Sequence, residues 1–132
     1  MIENLKNLEK LISAELSSRI LKSEIENDEL IIEINDNNLI EVVQFLKSNF
    51  QCKFRQLIDI AGVDYPDEEK RFKLVYLFLS HEKNTRIKLS MSFETDKIIN
   101  SITKIFPSAN WMEREVFDMY GIKFKNHPDL RR

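Results

Sequence analysis

Hydrophobic positions recur along this chain with two periods, and the switches between them outline its elements. Ile2, Leu5, Leu8, Ile12, Leu16 and Ile20 fall at three- and four-residue steps, which predicts a helix over residues 2–22. Asn27-Asp28 predicts a turn and Leu30 to Ile34 a short β-rich strand. Asn35 to Asn38 offer N-caps to a second helix carrying Leu39, Ile40, Val42, Val43, Phe45 and Leu46. Residues 54–63 read as a second strand, followed by the polar loop Asp64 to Glu69. Residues 71–79 read as a third strand, alternating at first and then continuously apolar, as a strand covered on both faces would be. His81 to Asn84 forms a hairpin loop. Over residues 86–93, Ile87, Leu89, Met91 and Phe93 face inward and Arg86, Lys88, Ser90 and Ser92 outward. Thr95-Asp96 caps a third helix with Ile98, Ile99, Ile102, Ile105 and Phe106 on one side, ended by Pro107. A last helix spans residues 111–120. The order α-β-α-β-β-β-α-α predicts an α+β two-layer sandwich: a four-stranded mixed sheet with helices mainly on one face.

Composition narrows the function. The chain has 132 residues, enough for one domain over 1–132 with its own core. Its 20 basic and 22 acidic residues are dispersed and leave a net charge of −2, so there is no electrostatic footprint for nucleic acid. Cys52 stands alone, which rules out an intrachain disulfide or a cysteine-based cluster site within one chain. The first residues lack the pattern of a signal peptide. No apolar run approaches the ~20 residues of a membrane span. A reducing compartment is expected, with any membrane reached through partners.

The chemistry gathers at the end of the chain. Asn110 reads as an N-cap with Glu113 three residues on, the spacing of a capping box, and Gly121 as the C′ residue that stops the helix. Met112, Val116, Met119 and Tyr120 form an apolar stripe flanked by Trp111 and Phe117. Arg114, Glu115 and Asp118 share the far face, with Arg114 and Asp118 spaced for an ion pair. An amphipathic helix with solvated charges explains much of this. The breadth of the apolar arc, and the charges beside aromatic rings, point instead to a surface that docks on another protein. Glu113 and Glu115 diverge by roughly 200° around the helix, so they do not converge as an acid/base pair. His127-Pro128 reads as a turn, with no carboxylate at ligand spacing. Two glycines are too few for a phosphate-cradling loop.

The run Glu113-Arg114-Glu115-Val116-Phe117-Asp118-Met119-Tyr120-Gly121-Ile122, followed by His127-Pro128-Asp129-Leu130-Arg131-Arg132, closely resembles the pattern of the 30-kDa subunit family of respiratory complex I, the proton-pumping NADH:quinone oxidoreductase. Asp59 to Pro66, Arg71-Phe72, Val75-Tyr76 and Ile105 to Trp111 extend the similarity to roughly residues 30–132. The resemblance implies a scaffold subunit with no active site and no cofactor of its own. It would serve a complex that uses FMN, iron–sulfur clusters, NADH and quinone. It implies bracing of the 49-kDa subunit and the cluster-bearing subunits of the peripheral arm, on the cytoplasmic side of a bacterial inner membrane or the matrix side of a mitochondrial one. Glu113, Arg114, Glu115, Phe117, Asp118, His127 and Arg131 are the expected docking residues, some of them possible internal latches for the tail. Family members usually run on past the double arginine, so residues 107–132 are expected to be a docking helix and a truncated tail. The rivals are the equivalent subunit of a membrane-bound hydrogenase or ferredoxin-linked oxidoreductase, a small stand-alone enzyme using Glu113 or His127, and a free ligand-binding module.

Overall fold

In a computed structural model, which describes residues 2–128, the first helix α1 (Ile2–Glu15) stops well short of the predicted end. After Leu16 the chain passes through one 3-10 turn and becomes strand β1 (Ile20–Glu26). Asn27 and Asp28, at φ 52° and 61°, form a two-residue turn into β2 (Glu29–Ile34). Two positive φ values match the twist of such a hairpin, and Asn and Asp tolerate them. The recurrence of Ile20 with the helical residues before it is therefore coincidental. Ile20 pairs with Ile34 across the hairpin.

The remaining elements are α2 (Leu39–Ser48), β3 (Gln56–Asp64), β4 (Phe72–Ser80), β5 (Thr85–Phe93), β6 (Ile99–Asn100), α3 (Ala109–Tyr120) and β7 (Phe124–Lys125). The main sheet is mixed and has five strands rather than four, in the order β1-β2-β5-β4-β3. Its β2–β5 pair is parallel and its other neighbours are antiparallel. The helix expected over residues 95–106 is absent. Ile99 and Asn100 instead pair in parallel with Phe124 and Lys125, and Ile102 to Phe106 make a single turn, with Phe106 N–H donating to Ile102 C=O. The β-branched run Ile98-Ile99 favours a strand. The tail supplies the carbonyls of Lys123 and Lys125 to the Ile99 and Ser101 N–H groups, partners that a local reading of the sequence cannot see.

The core fills one face of the sheet. Leu30, Ile32, Ile34, Leu74, Tyr76, Phe78, Ile87, Leu89, Met91 and Phe93 are buried there with Leu5, Leu8 and Ile12 of α1, Leu16 just after it, and Leu39, Val42, Val43 and Leu46 of α2. α1 is tied to β1 by Ser23 Oγ, which donates to Glu9 at 2.8 Å. Lys47 of α2 donates to the Ile105 carbonyl and lies 5.2 Å over the Phe106 ring. The other face of β4, with Val75, Leu77 and Leu79, stays half-exposed, so this strand is covered on one side and not on both.

Candidate protein-docking site

α3 is held at its start, at its end and along its inward side. The helix begins at Ala109, after Ser108, riding on the turn at Pro107 through Ala109 N–H to Phe106 C=O and Asn110 N–H to Pro107 C=O. Asn110 is therefore inside the helix and the expected capping box does not form. At the far end Gly121 takes φ 75° and its N–H closes on the Phe117 carbonyl, the left-handed stop expected at that position. In between, the Tyr120 hydroxyl donates to the Gly62 carbonyl of β3 at 2.9 Å, and its ring meets Phe72 edge-on at 6.2 Å. A Cβ on Gly62 would sit 2.5 Å from Cε2 of Tyr120. That position is glycine because the ring occupies the space, a signal readable only as an isolated glycine within a strand.

Glu113 faces inward. Its carboxylate is fully buried and accepts from Ser101 Oγ at 2.7 Å and from the Ile102 N–H at 2.9 Å. His127, whose imidazole is also buried, places Nε2 3.9 Å from Oε1 of Glu113. The same nitrogen lies 2.9 Å from the Asn110 carbonyl. A carbonyl only accepts, so Nε2 carries the proton. Burial pushes the Glu113 carboxyl above the ordinary 4.5; the Ser101 and Ile102 hydrogen bonds and the nearby imidazole pull it back only in part. The Tyr76 hydroxyl of β4 is buried close enough to feel the Glu113 charge, and burial foremost holds it well above the usual tyrosine range. Among the described residues it is the one buried side-chain polar atom without a hydrogen-bond partner. Glu113 and His127 are thus brought together as a latch between the β6 segment, α3 and the tail, and neither side chain is surface.

The opposite side of α3 is open. Trp111 and Met119 are 64% and 74% exposed, and Glu115 and Asp118 lie exposed between them. The apolar stripe expected from periodicity is split: Val116 is buried, Met112 and Tyr120 pack partly against the core, and Met119 points outward. Arg114 is half-buried and, among the described residues, makes no ion pair with Asp118. Phe117 is half-buried beside a shallow groove of about 700 Å³ lined also by Ile98, Lys123, Phe124 and Lys125. Arg131 lies outside the described residues. No cluster of three or more His, Cys, Asp or Glu able to hold a metal ion occurs among the described residues.

The sequence model for the "Respiratory-chain NADH dehydrogenase, 30 Kd subunit" matches residues 32–132. The chain belongs to that family. Among its relatives, an NADH-quinone oxidoreductase subunit of Rhodospirillum rubrum is 46% identical over 131 residues, 99% of this chain and 62% of that protein. The equivalent NADH-quinone oxidoreductase subunit of Ruegeria pomeroyi is 46% identical over 132 residues, the whole chain and 66% of the relative. The chain therefore spans a little under two thirds of the length of these curated relatives. Among solved structures, a trypsin-resistant fragment of Nqo5 (residues 1–134) is 29% identical with a TM-score of 0.78, covering 96% of this chain and 99% of the fragment. A chain of an archaeal membrane-bound sulfane sulfur reductase shares the fold, with a TM-score of 0.80 at 21% identity, covering 92% of this chain and 71% of its own. The mixed α+β architecture expected from the order of elements is the one found here, with the strand count corrected to five. No helix among the described residues is long and apolar enough to cross a membrane.

Proposed function

We propose that this family member is a non-catalytic scaffold subunit of a proton-translocating NADH:quinone oxidoreductase, and that it docks through the outer face of α3 on the 49-kDa-type subunit and its cluster-bearing neighbours. Its place would be in the peripheral arm, on the cytoplasmic side of the membrane (or the matrix side in a mitochondrion), reaching the bilayer only through the complex. FMN, iron–sulfur clusters, NADH and quinone would be handled by other chains. Family membership supports the complex. The observation that supports the docking role is the division of α3 into a locked side and an open one. Glu113, Val116 and Tyr120 fasten one side, while Trp111 and Met119 stand in solvent eight residues apart with Glu115 and Asp118 beside them.

Large apolar side chains exposed on a rigidly held helix are anchors in need of a pocket. Two anchors eight residues apart are separated by ~12 Å along the axis, within the span of one interface patch. Glu115 and Asp118 fit Lys or Arg on the rim of such a pocket. Arg114 and Phe117 extend the surface toward the groove at Lys123 and Lys125. Glu113 and His127 orient this surface from beneath.

The test is co-purification of the full chain with the 49-kDa-type subunit of its own organism. Trp111→Ala/Met119→Ala should weaken binding of the partner by about a hundredfold or more, since hot-spot truncations cost ~2 kcal/mol each and ~1.4 kcal/mol is a factor of ten, while the melting temperature of the isolated chain stays near wild type. Undiminished recovery would remove α3 from the interface.

A further inference from the structure

The buried polar cluster beneath α3 has a property beyond fastening. Ser101 Oγ is within hydrogen-bond distance of both Glu113 Oε1 (2.7 Å) and Thr103 Oγ1 (2.8 Å), and it also accepts from the Thr103 N–H at 3.1 Å. The proton between the two hydroxyls can sit on either. With Glu113 ionised, Ser101 donates to Oε1 and the Ile102 N–H donates to Oε2. With Glu113 neutral, its own O–H donates to Ser101 Oγ, Ser101 donates to Thr103 Oγ1, and Ile102 N–H keeps its acceptor. One proton is added, the Ser101 and Thr103 hydroxyls both turn, and the Ser101, Thr103 and Ile102 partnerships all survive.

We propose that Glu113 is a proton-switchable positioning residue for the docking helix, with the Ser101–Thr103 hydroxyl chain accommodating both of its states. This rests on the reading of α3 as the docking element. Each element packed on the carboxyl contributes a group facing it: Tyr76 from β4, Ser101 and the Ile102 N–H from the segment after β6, with Thr103 behind Ser101, and His127 from the tail. Of these, His127 and Tyr76 carry ionisable side chains. A charge on His127, 3.9 Å away, favours the ionised carboxyl; burial favours the neutral one and is the larger effect. A carboxyl whose folded value is raised strengthens the fold while it is protonated. That contribution is complete below the ordinary 4.5 and is lost as pH climbs through the raised value. The hold on α3 therefore loosens with rising pH across that window, locally and ahead of global unfolding.

The decisive readouts use the isolated full chain: the carboxyl resonance of Glu113 and the hydrogen-exchange protection of the Ile102 amide, corrected for intrinsic exchange, followed with pH. In the wild type the Glu113 resonance should titrate above 4.5, and Ile102 protection should fall across the same interval. Glu113→Gln keeps both contacts, its amide donating to Ser101 and its carbonyl accepting from Ile102. It should hold protection near the low-pH wild-type level and abolish the dependence on pH. Glu113→Ala should lower Ile102 protection by about tenfold at every pH, the equivalent of one buried hydrogen bond. Wild-type Glu113 titrating at 4.5, or an Ala variant as protected as wild type, would overturn the switch. A Gln variant with an unchanged pH dependence would move the switch to another group and overturn it equally. Partner co-purification with the Trp111/Met119 variant fails or succeeds independently of these measurements, so the docking reading and the latch fall separately.

Discussion

Gly62 and Tyr120 form the contact where a single atom has most leverage. The Tyr120 ring lies where a Gly62 side chain would begin, and its hydroxyl donates to the carbonyl of the same residue. Gly62→Ala places Cβ 2.5 Å from Cε2 of a ring anchored at its tip, so α3 or β3 must shift. Overpacking of this kind costs about 1–3 kcal/mol. Denaturant unfolding should show the loss, and the double variant Gly62→Ala/Tyr120→Leu should regain part of it by removing the obstructing ring. Of the residues expected to face a partner, Glu113 stands in a recognisable run of charges. What turns it inward is a pair of donors, Ser101 and the Ile102 N–H, that lie 12 and 11 residues upstream. Charge alone reads as surface, and only the backbone course of residues 99–103 shows otherwise.

At the scale of elements, the β3–β4 hairpin is closed by a clasp. Asp64 at the end of β3 accepts from Arg71 Nε at 2.7 Å and from a terminal guanidinium nitrogen at 2.9 Å, and Tyr65 N–H donates to Arg71 C=O. The bidentate geometry holds the Asp64 carboxyl below its ordinary 3.8, the hydrogen bond with Arg71 being the largest cause. A depressed folded value means the clasp contributes above 3.8 and is lost as pH falls through the depressed value. Carboxyl NMR should find Asp64 titrating below 3.8, and Arg71→Gln should return it toward that figure; no movement in the variant would dissolve the clasp. The strands of this region, the turns at Asn27-Asp28 and His81 to Asn84, α2, and the Gly121 stop are all legible in the sequence, because alternation, turn residues and caps are local signals. Residues 20–26 and 95–106 are not. Their apolar spacing fits a helix as well as a strand, and the deciding partners, Glu29–Ile34 and Phe124–Lys125, lie elsewhere in the chain. The inward side of α3 is half legible: Val116 and Tyr120 by period, Met119 misplaced because the buried side is shifted around the helix toward Glu113 and leaves Met119 at its exposed edge.

Across the whole molecule, the lone Cys52 reports on the integrity of the core. It is buried in the connection between α2 and β3, and burial pushes its thiol up to about 11. A thiol both inaccessible and protonated at neutral pH should react with a disulfide reagent only when the molecule opens. The labelling rate should therefore rise steeply across the denaturant transition and stay near background before it; prompt labelling of the native chain would show that the α2–β3 connection opens by itself.

The centre of the sheet is occupied by the strand of the five that is made last. β5 lies between β2 and β4 and joins one in parallel and the other antiparallel. On a ribosome, the amino-terminal hairpin and the β3–β4 hairpin emerge as two half-built pieces with bare edges facing one another. Neither gains its neighbour until residues 85–93 arrive as the keystone. Nascent chains stalled before that point carry two unsatisfied strand borders, and these are the species most in need of a chaperone's cover.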